Sequence, residues 1–201
     1  MPSRSLREFS AAKRRAQRLA AIATDRRLRP LTYPEMEPPL HAALAAYVSA
    51  WEAYVEDVTI EFLDALITSM DPKASALATT LRDEAERVAK RFNTPTFQES
   101  RDLVYRFTGY DPLPSMASPR LGMTSAQAQT RLDEVLRVRH AFAHGRPLPN
   151  LGWLTRYAHA SRFSQTAVRS VAALLTDLVD GIDTGLAAHA SLAFGLARVW
   201  R

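Results

Sequence analysis

Hydrophobic residues recur at spacings of three and four along most of the chain, a pattern typical of helices with one buried face. The longest stripe, within about residues 40–69, consists of Leu40, Leu44, Tyr47, Val48, Trp51, Val55, Val58, Phe62 and Leu66. Similar stripes predict helices over about residues 3–29, 73–92, 96–107, 124–143 and 162–190. No segment has the alternation of a strand. We therefore expect an all-α fold, an antiparallel helical bundle with an extra basic N-terminal helix.

Prolines suggest how the chain is divided. The segment RPLTYPEMEPP contains four prolines, which predicts an extended connector over residues 30–39. The predicted organisation is therefore a basic N-terminal helix over residues 1–29, this connector, and a helical domain over residues 40–201.

Short signals predict where individual helices begin and end. Thr94-Pro95 predicts a helix start, and Gly109 predicts the end of that helix. Thr124 with Gln127 forms a capping-box pattern for the next helix. The remaining segments are expected to be irregular loops, over residues 110–123 and 146–160.

Positive charge is concentrated at the N-terminus. The net charge of the chain is +5, yet residues 1–29 hold nine Lys or Arg residues against only Glu8 and Asp25. That segment is therefore +7 and the remainder −2. Two interpretations are favoured over a transit peptide, which would share this Arg-rich composition: a helix that packs an apolar stripe on the body, or a basic arm that attracts nucleic acid or an acidic partner.

The composition also excludes several classes of site. The chain has 201 residues and no cysteine, so it has no disulfide, no thiolate metal site and no cysteine nucleophile. No apolar run approaches the roughly 20 residues of a membrane helix, because Asp177 and Asp180 interrupt the most apolar stretch. The N-terminus lacks the apolar segment of a secretory signal. We expect a cytoplasmic protein without a membrane partner.

Candidate chemistry is concentrated in RVRHAFAHGRP, residues 137–147. On a helix, His140 and His144 lie about 40° apart on one face, whereas Arg139 lies about 140° around and about 7.5 Å along from His144. One copy would make a loose site. Two copies facing each other across a two-fold axis would make a compact one, with phosphate-binding guanidinium groups and titratable imidazoles.

Spacing alone leaves three interpretations of this stretch open. It is a solvated helix end with cationic residues, or a metal site built on two histidines one turn apart, or a site for acid–base chemistry on a phosphodiester. For the metal site no HExxH glutamate is present, and only His41, His159 and His189 remain as further imidazoles.

The stretch LDEVLRVRHAFAHG, residues 132–145, resembles the signature of HEPN domains, an all-α family of bacterial defence and toxin–antitoxin systems. The signature places Arg139 five residues before His144. Two more stretches, SAWEAYVEDV and RFNTPTFQESRDLVYRFTGYDPL, are similar to the RiboL-PSP/MAE-type branch, so the resemblance covers about residues 40–185. The departure is His140, where Asn or Asp is commoner.

The resemblance implies a metal-independent ribonuclease that acts as a homodimer without a cofactor. The ribose 2′-OH would attack the adjacent phosphate, with His144 as general base or acid and Arg139 neutralising the phosphoryl oxygens. His140 would position the phosphate or transfer a second proton. Arg146 is either a substrate contact or plain surface charge, and Glu52 either faces the cleft and orients Arg139 or is an ordinary boundary carboxylate.

The implied partners are RNA, a second copy of the chain and, for a toxin, a cognate antitoxin protein. The implied role is that of a toxin or an anti-phage defence component. The alternative is a non-catalytic HEPN module that binds RNA or a partner protein.

Overall fold

The computed structural model describes residues 1–25, 32–69, 71–91, 96–158, 160–197 and 199–200. Within them lie six α-helices: α1 (Arg4–Ile22), α2 (Tyr33–Ser69), α3 (Pro72–Ala89), α4 (Phe97–Thr108), α5 (Ser125–Ala143) and α6 (Gln165–Phe194). The long α2 contacts each of the other five, and its buried face includes Tyr47, Trp51 and Tyr54. The predicted all-α character is confirmed. Among the described helices, none has both the length and the apolar character needed to cross a membrane.

The extended conformation predicted for the connector is wrong over residues 33–39. Helix α2 already begins at Tyr33 and continues through Pro38 and Pro39. Residues 30 and 31, the start of the predicted connector, lie outside the described residues.

A cap in front of α2 accounts for this early start. The amide and hydroxyl of Thr32 both donate to the Glu35 carboxylate, at 2.8 and 3.0 Å, which anchors the first turn. Pro38 and Pro39 each remove one helical hydrogen bond. They lie in the second turn, and Leu40 directly after them is buried in the core. The bundle therefore holds together a helix that two prolines would otherwise break.

Helix α1 packs one apolar stripe on the body, as the first of the two interpretations expected. Phe9, Ala16 and Ala20 are buried in the common core. At the start of the helix, the backbone amide of Ser3 donates to Asp183 of α6 and that of Ser5 donates to Glu61 of α2. The described helix ends at Ile22, and residues 26–29 of the predicted helix lie outside the described residues.

Two of the predicted helix signals are confirmed. Gly109 ends α4 with a φ of +71°, a left-handed conformation that favours glycine. Thr124 and Gln127 form both halves of a capping box at the start of α5. Thr94-Pro95 lies outside the described residues, and α4 is capped by Thr96.

A small antiparallel hairpin begins in the segment expected to be an irregular loop and extends to Arg162, where the last helix was expected to begin; that helix begins at Gln165 instead. Its strands are β1 (Thr155–Tyr157) and β2 (Ala160–Arg162), with Arg156 paired to Ser161. The sequence gives no strand signal there because neither strand alternates between buried and exposed residues. The other predicted loop contains two short 3-10 turns, at Leu113–Ser115 and Pro119–Leu121.

Candidate active site at the end of α5

The last two turns of α5 present a pair of histidines to solvent. Leu132, Val135 and Val138 bury one face of the helix in the core, which leaves His140 and His144 exposed on another. Their ring centroids lie 4.2 Å apart at an interplanar angle of 50°. Gly145 follows with a φ of +60° and ends the helix. The expectation that the two imidazoles share one face is confirmed.

One of these histidines lines an open groove of about 700 Å³, which we call the histidine groove. It runs between the start of α4 and the end of α5, and it is lined by His140, Arg137, Arg146, Asp133 and Gln98 among others. The start of α4 is tied to the middle of α5 because the Phe97 amide donates to the Asp133 carboxylate at 3.1 Å. The groove therefore has a fixed wall and two guanidinium groups beside an imidazole.

Arg139 borders a different cavity. This space of about 310 Å³ lies between α2 and α5 and is lined by Arg139, Phe142, His41 and Ala45, among others. Arg139 and His140 of one chain thus line cavities on two flanks of α5, as the turn of about 100° between adjacent helical residues allows. In one copy, Arg146 is the predicted guanidinium that shares a groove with His140.

Glu52 lies close enough to Arg139 to interact with it electrostatically. Burial raises the pKa of the Glu52 carboxyl, and the charge of Arg139 opposes that rise. Its Oε1 atom is buried without a hydrogen-bond partner among the described residues. This location suits a carboxylate that orients Arg139, and that role stays a prediction.

One turn further along α2, Glu56 adds a second carboxyl group, and we call Glu52 and Glu56 together the acidic edge of α2. Burial raises the pKa of Glu56 to about 7, and the nearby charges of Asp57 and Glu52 add to the effect. The face of α2 beside Arg139 therefore carries two carboxyl groups that are held partly out of water.

The surroundings of His140 favour its neutral form. Partial desolvation lowers the pKa of the imidazole, and the positive charges of His144, Arg146 and Arg139 lower it further, in that order. Arg146 acts on His140 more strongly than Arg139 does, which agrees with the shared groove. A neutral imidazole near neutral pH is able to accept a proton.

Several residues around the site are not among those that the sequence predicts as site residues. Arg137, Asp133 and Gln98 reach the histidine groove only because α4 packs beside α5. His41 of α2 stacks on Phe142, and burial lowers its pKa to about 4. Its ring is therefore neutral near neutral pH, and its contact with Glu37 at 3.3 Å is not an ion pair. Only the three-dimensional packing could have identified these neighbours.

No group of three or more His, Asp and Glu side chains is placed to hold a metal ion within the described residues. His159, one of the further imidazoles considered from the sequence, lies outside them. Comparison with known protein families found no match, and no curated protein or solved structure matches the chain.

Proposed function

We propose that this protein is a metal-independent endoribonuclease with a HEPN-like bundle, acting in the cytoplasm as a toxin or an anti-phage defence component. The observation that carries the proposal is the exposed pair of imidazoles, His140 and His144, in contact with each other at 4.2 Å beside an open groove. The guanidinium of Arg146 lines the same groove. Two titratable bases and a phosphate-binding cation are the groups that cleavage of a phosphodiester needs.

The reaction needs no metal and no co-reactant. One imidazole takes the proton of the ribose 2′-OH while the O2′–P bond forms and the P–O5′ bond breaks. A second imidazole gives a proton to the departing 5′-oxygen, leaving a 2′,3′-cyclic phosphate and a 5′-hydroxyl. Because its neutral form is favoured, His140 suits the role of base, and His144 is then the acid.

A dimer supports this chemistry better than one copy does. Base and acid act on opposite sides of the phosphorus, whereas His140 and His144 of one chain lie side by side. Two copies that pair their α5 ends bring two pairs of imidazoles and two Arg139 side chains to one cleft. In that arrangement Arg139 neutralises the charge on the phosphoryl oxygens, and Glu52 acts as its positioning residue.

The proposal is tested by RNA cleavage with purified variants. We expect His144→Ala and Arg139→Ala each to lower the cleavage rate by about 10²-fold or more, because each removes a group that acts in the transition state. Arg15→Ala, on the exposed face of α1, is the matched control and retains full activity. EDTA leaves the wild-type rate unchanged. Full activity of His144→Ala would contradict the mechanism.

The alternative is a non-catalytic module that binds RNA. The observation in its favour is the exposed row of arginines on α1, which includes Arg7, Arg14 and Arg18. The same assay separates the two functions, because a binding module retains labelled RNA on the protein and never shortens it.

A further inference from the structure

A second groove continues from the histidine groove along the β-hairpin. This hairpin groove has a volume of about 680 Å³ and lies between the hairpin and the starting turns of α2. Arg146 and Pro147 line both grooves. The two spaces are therefore neighbours that share one wall, and a chain lying in one reaches the other across Arg146.

The hairpin turns two polar side chains into this groove. Arg156 and Ser161 are paired across the strands, so they share one face of the hairpin. Both line the groove, together with Asn150 from the loop that precedes the hairpin. Arg156 is exposed, and Ser161 is half-buried. These side chains offer hydrogen-bond donors and acceptors to a polar ligand.

A third guanidinium is held in place by aromatic rings. The Arg162 guanidinium lies 3.7 Å from the ring centre of Tyr157 and 4.4 Å from that of Tyr33. Tyr33 is itself fixed, because its hydroxyl accepts a hydrogen bond from the Phe163 amide at 3.1 Å. Arg162 also lines the groove, and the two rings hold its planar group in place, which reduces the entropy lost when it binds a ligand.

The charge of the hairpin groove suits a polyanion. Among the described residues that line it, the charged groups are the three guanidinium groups of Arg146, Arg156 and Arg162 and one carboxylate, that of Glu37. His41 is neutral near neutral pH because its pKa is about 4. The lining is therefore net positive, and guanidinium groups bind phosphate oxygens through two parallel hydrogen bonds.

We propose that the hairpin groove binds the backbone of single-stranded RNA beside the cleaved bond, with Arg156 and Arg162 contacting its phosphates. The proposal rests on the proposed function, because the strand enters the neighbouring histidine groove to be cut. A single strand fits because its backbone can follow a concave path between the hairpin and α2, whereas a rigid duplex requires a broader surface. Arg146 lines both grooves, so it lies between the groove that binds the strand and the groove in which the strand is cut.

Binding is measured apart from cleavage by placing all variants in a His144→Ala background. The probe is a short, unstructured, fluorescently labelled RNA of mixed sequence. Arg156→Ala combined with Arg162→Ala raises the Kd for this RNA by about tenfold or more. The slope of log Kd against log salt concentration falls by about 1.4, because each lost phosphate contact contributes about 0.7 for a single strand.

Two further variants serve as controls for the Kd measurement. Arg4→Ala with Arg7→Ala removes the same charge from exposed positions at the start of α1, and it leaves the Kd within about twofold. Removing Arg162 from its contacts with Tyr33 and Tyr157 could disturb the fold of the hairpin. The single variant Arg156→Ala keeps these contacts and therefore tests phosphate binding without that disturbance. This single change lowers the salt slope by about 0.7.

The outcomes separate this inference from the proposed function. If RNA is cleaved by the wild type but its Kd is insensitive to Arg156 and Arg162, the hairpin groove is not its binding site and the cleavage proposal stands. If the α1 control weakens binding equally, general charge explains the affinity and the groove proposal is overturned. If uridine monophosphate binds with the same dependence on both arginines and the same affinity as RNA, the groove is a nucleotide site instead. Absence of any RNA binding overturns both proposals.

Discussion

The two arginine-rich regions of this protein, helix α1 and the end of α5, use their charges differently. Helix α1 holds the denser cluster, but its arginines lie on a convex, exposed face opposite the buried Phe9 and Ala16. The end of α5 has fewer cations, yet they line grooves and one of its histidines has a shifted pKa. Charge density therefore does not identify the site. A cation that shares a concave surface with a titratable group is the stronger indication of a candidate site.

The buried face of α1 should matter for stability. Phe9 is 3% exposed and packs edge-on against Tyr54, so Phe9→Ala should lower the free energy of unfolding by about 3–5 kcal/mol. Urea denaturation measures the change. Arg14→Ala, on the exposed face, should stay within about 0.5 kcal/mol of the wild type. A Phe9→Ala variant of unchanged stability would show that α1 is not anchored as described.

The end of α5 should show the reverse behaviour. His140→Ala removes an exposed side chain, so unfolding should change by less than about 0.5 kcal/mol. The kcat/KM for RNA cleavage should fall by about 10²-fold, equivalent to about 2.7 kcal/mol. Arg14→Ala with Arg18→Ala on α1 should leave kcat unchanged. If His140→Ala and the double variant on α1 lowered the cleavage rate equally, the two regions would not differ in function.

The acidic edge of α2 should make stability depend on pH. Because the pKa of Glu56 is raised to about 7 from its ordinary 4.5, the folded state binds more protons than the unfolded state between these values. Stability is therefore greatest below pH 4.5 for this group and is lost as the pH rises through 7. Glu56→Gln should gain on the order of 1 kcal/mol at pH 8, after allowance for solvent screening of this half-exposed group, and almost nothing at pH 4. A constant difference between the two proteins at both pH values would contradict this.

The smallest expected effect is a shift in the pH profile of cleavage. The lowered pKa of His140 places the acidic limb of kcat/KM below pH 6.5. Arg146→Ala removes one of the positive charges responsible, so the midpoint of that limb should move to higher pH. Arg14→Ala should leave the midpoint in place. If the midpoint is the same in Arg146→Ala and in the wild type, His140 is not the base.

Local signals predicted much of the fold. Stripes of apolar residues and the caps at Gly109 and Thr124 act within a few residues, so they can be recognised in sequence. The predicted start of α2 is wrong because the prediction rests on the four prolines alone, whereas Thr32 and Glu35 form a capping pattern that is visible in the sequence. That pattern, with Pro34 in the first turn, favours a helix start at an earlier residue than the predicted residue 40.

The site was only partly predictable for a physical reason. The spacing of His140 and His144 fixes their shared face, since both lie on one helix. The placement of Arg156 and Arg162 beside Arg146 depends on how a hairpin packs against α2, and no periodicity records that packing. Division of Arg139 and His140 between two cavities follows from helix geometry, but the cavities themselves arise from neighbouring helices.

The chemistry of the RNA ends that the wild-type protein leaves in the presence of EDTA tests the cleavage mechanism most directly. A 2′-OH nucleophile activated by the histidine pair predicts a 2′,3′-cyclic phosphate on the upstream fragment and a 5′-hydroxyl on the downstream one. The same digestion should leave DNA of equal sequence intact. Fragments that end in a 3′-hydroxyl and a 5′-phosphate, or RNA that stays whole, would contradict cleavage by the 2′-OH.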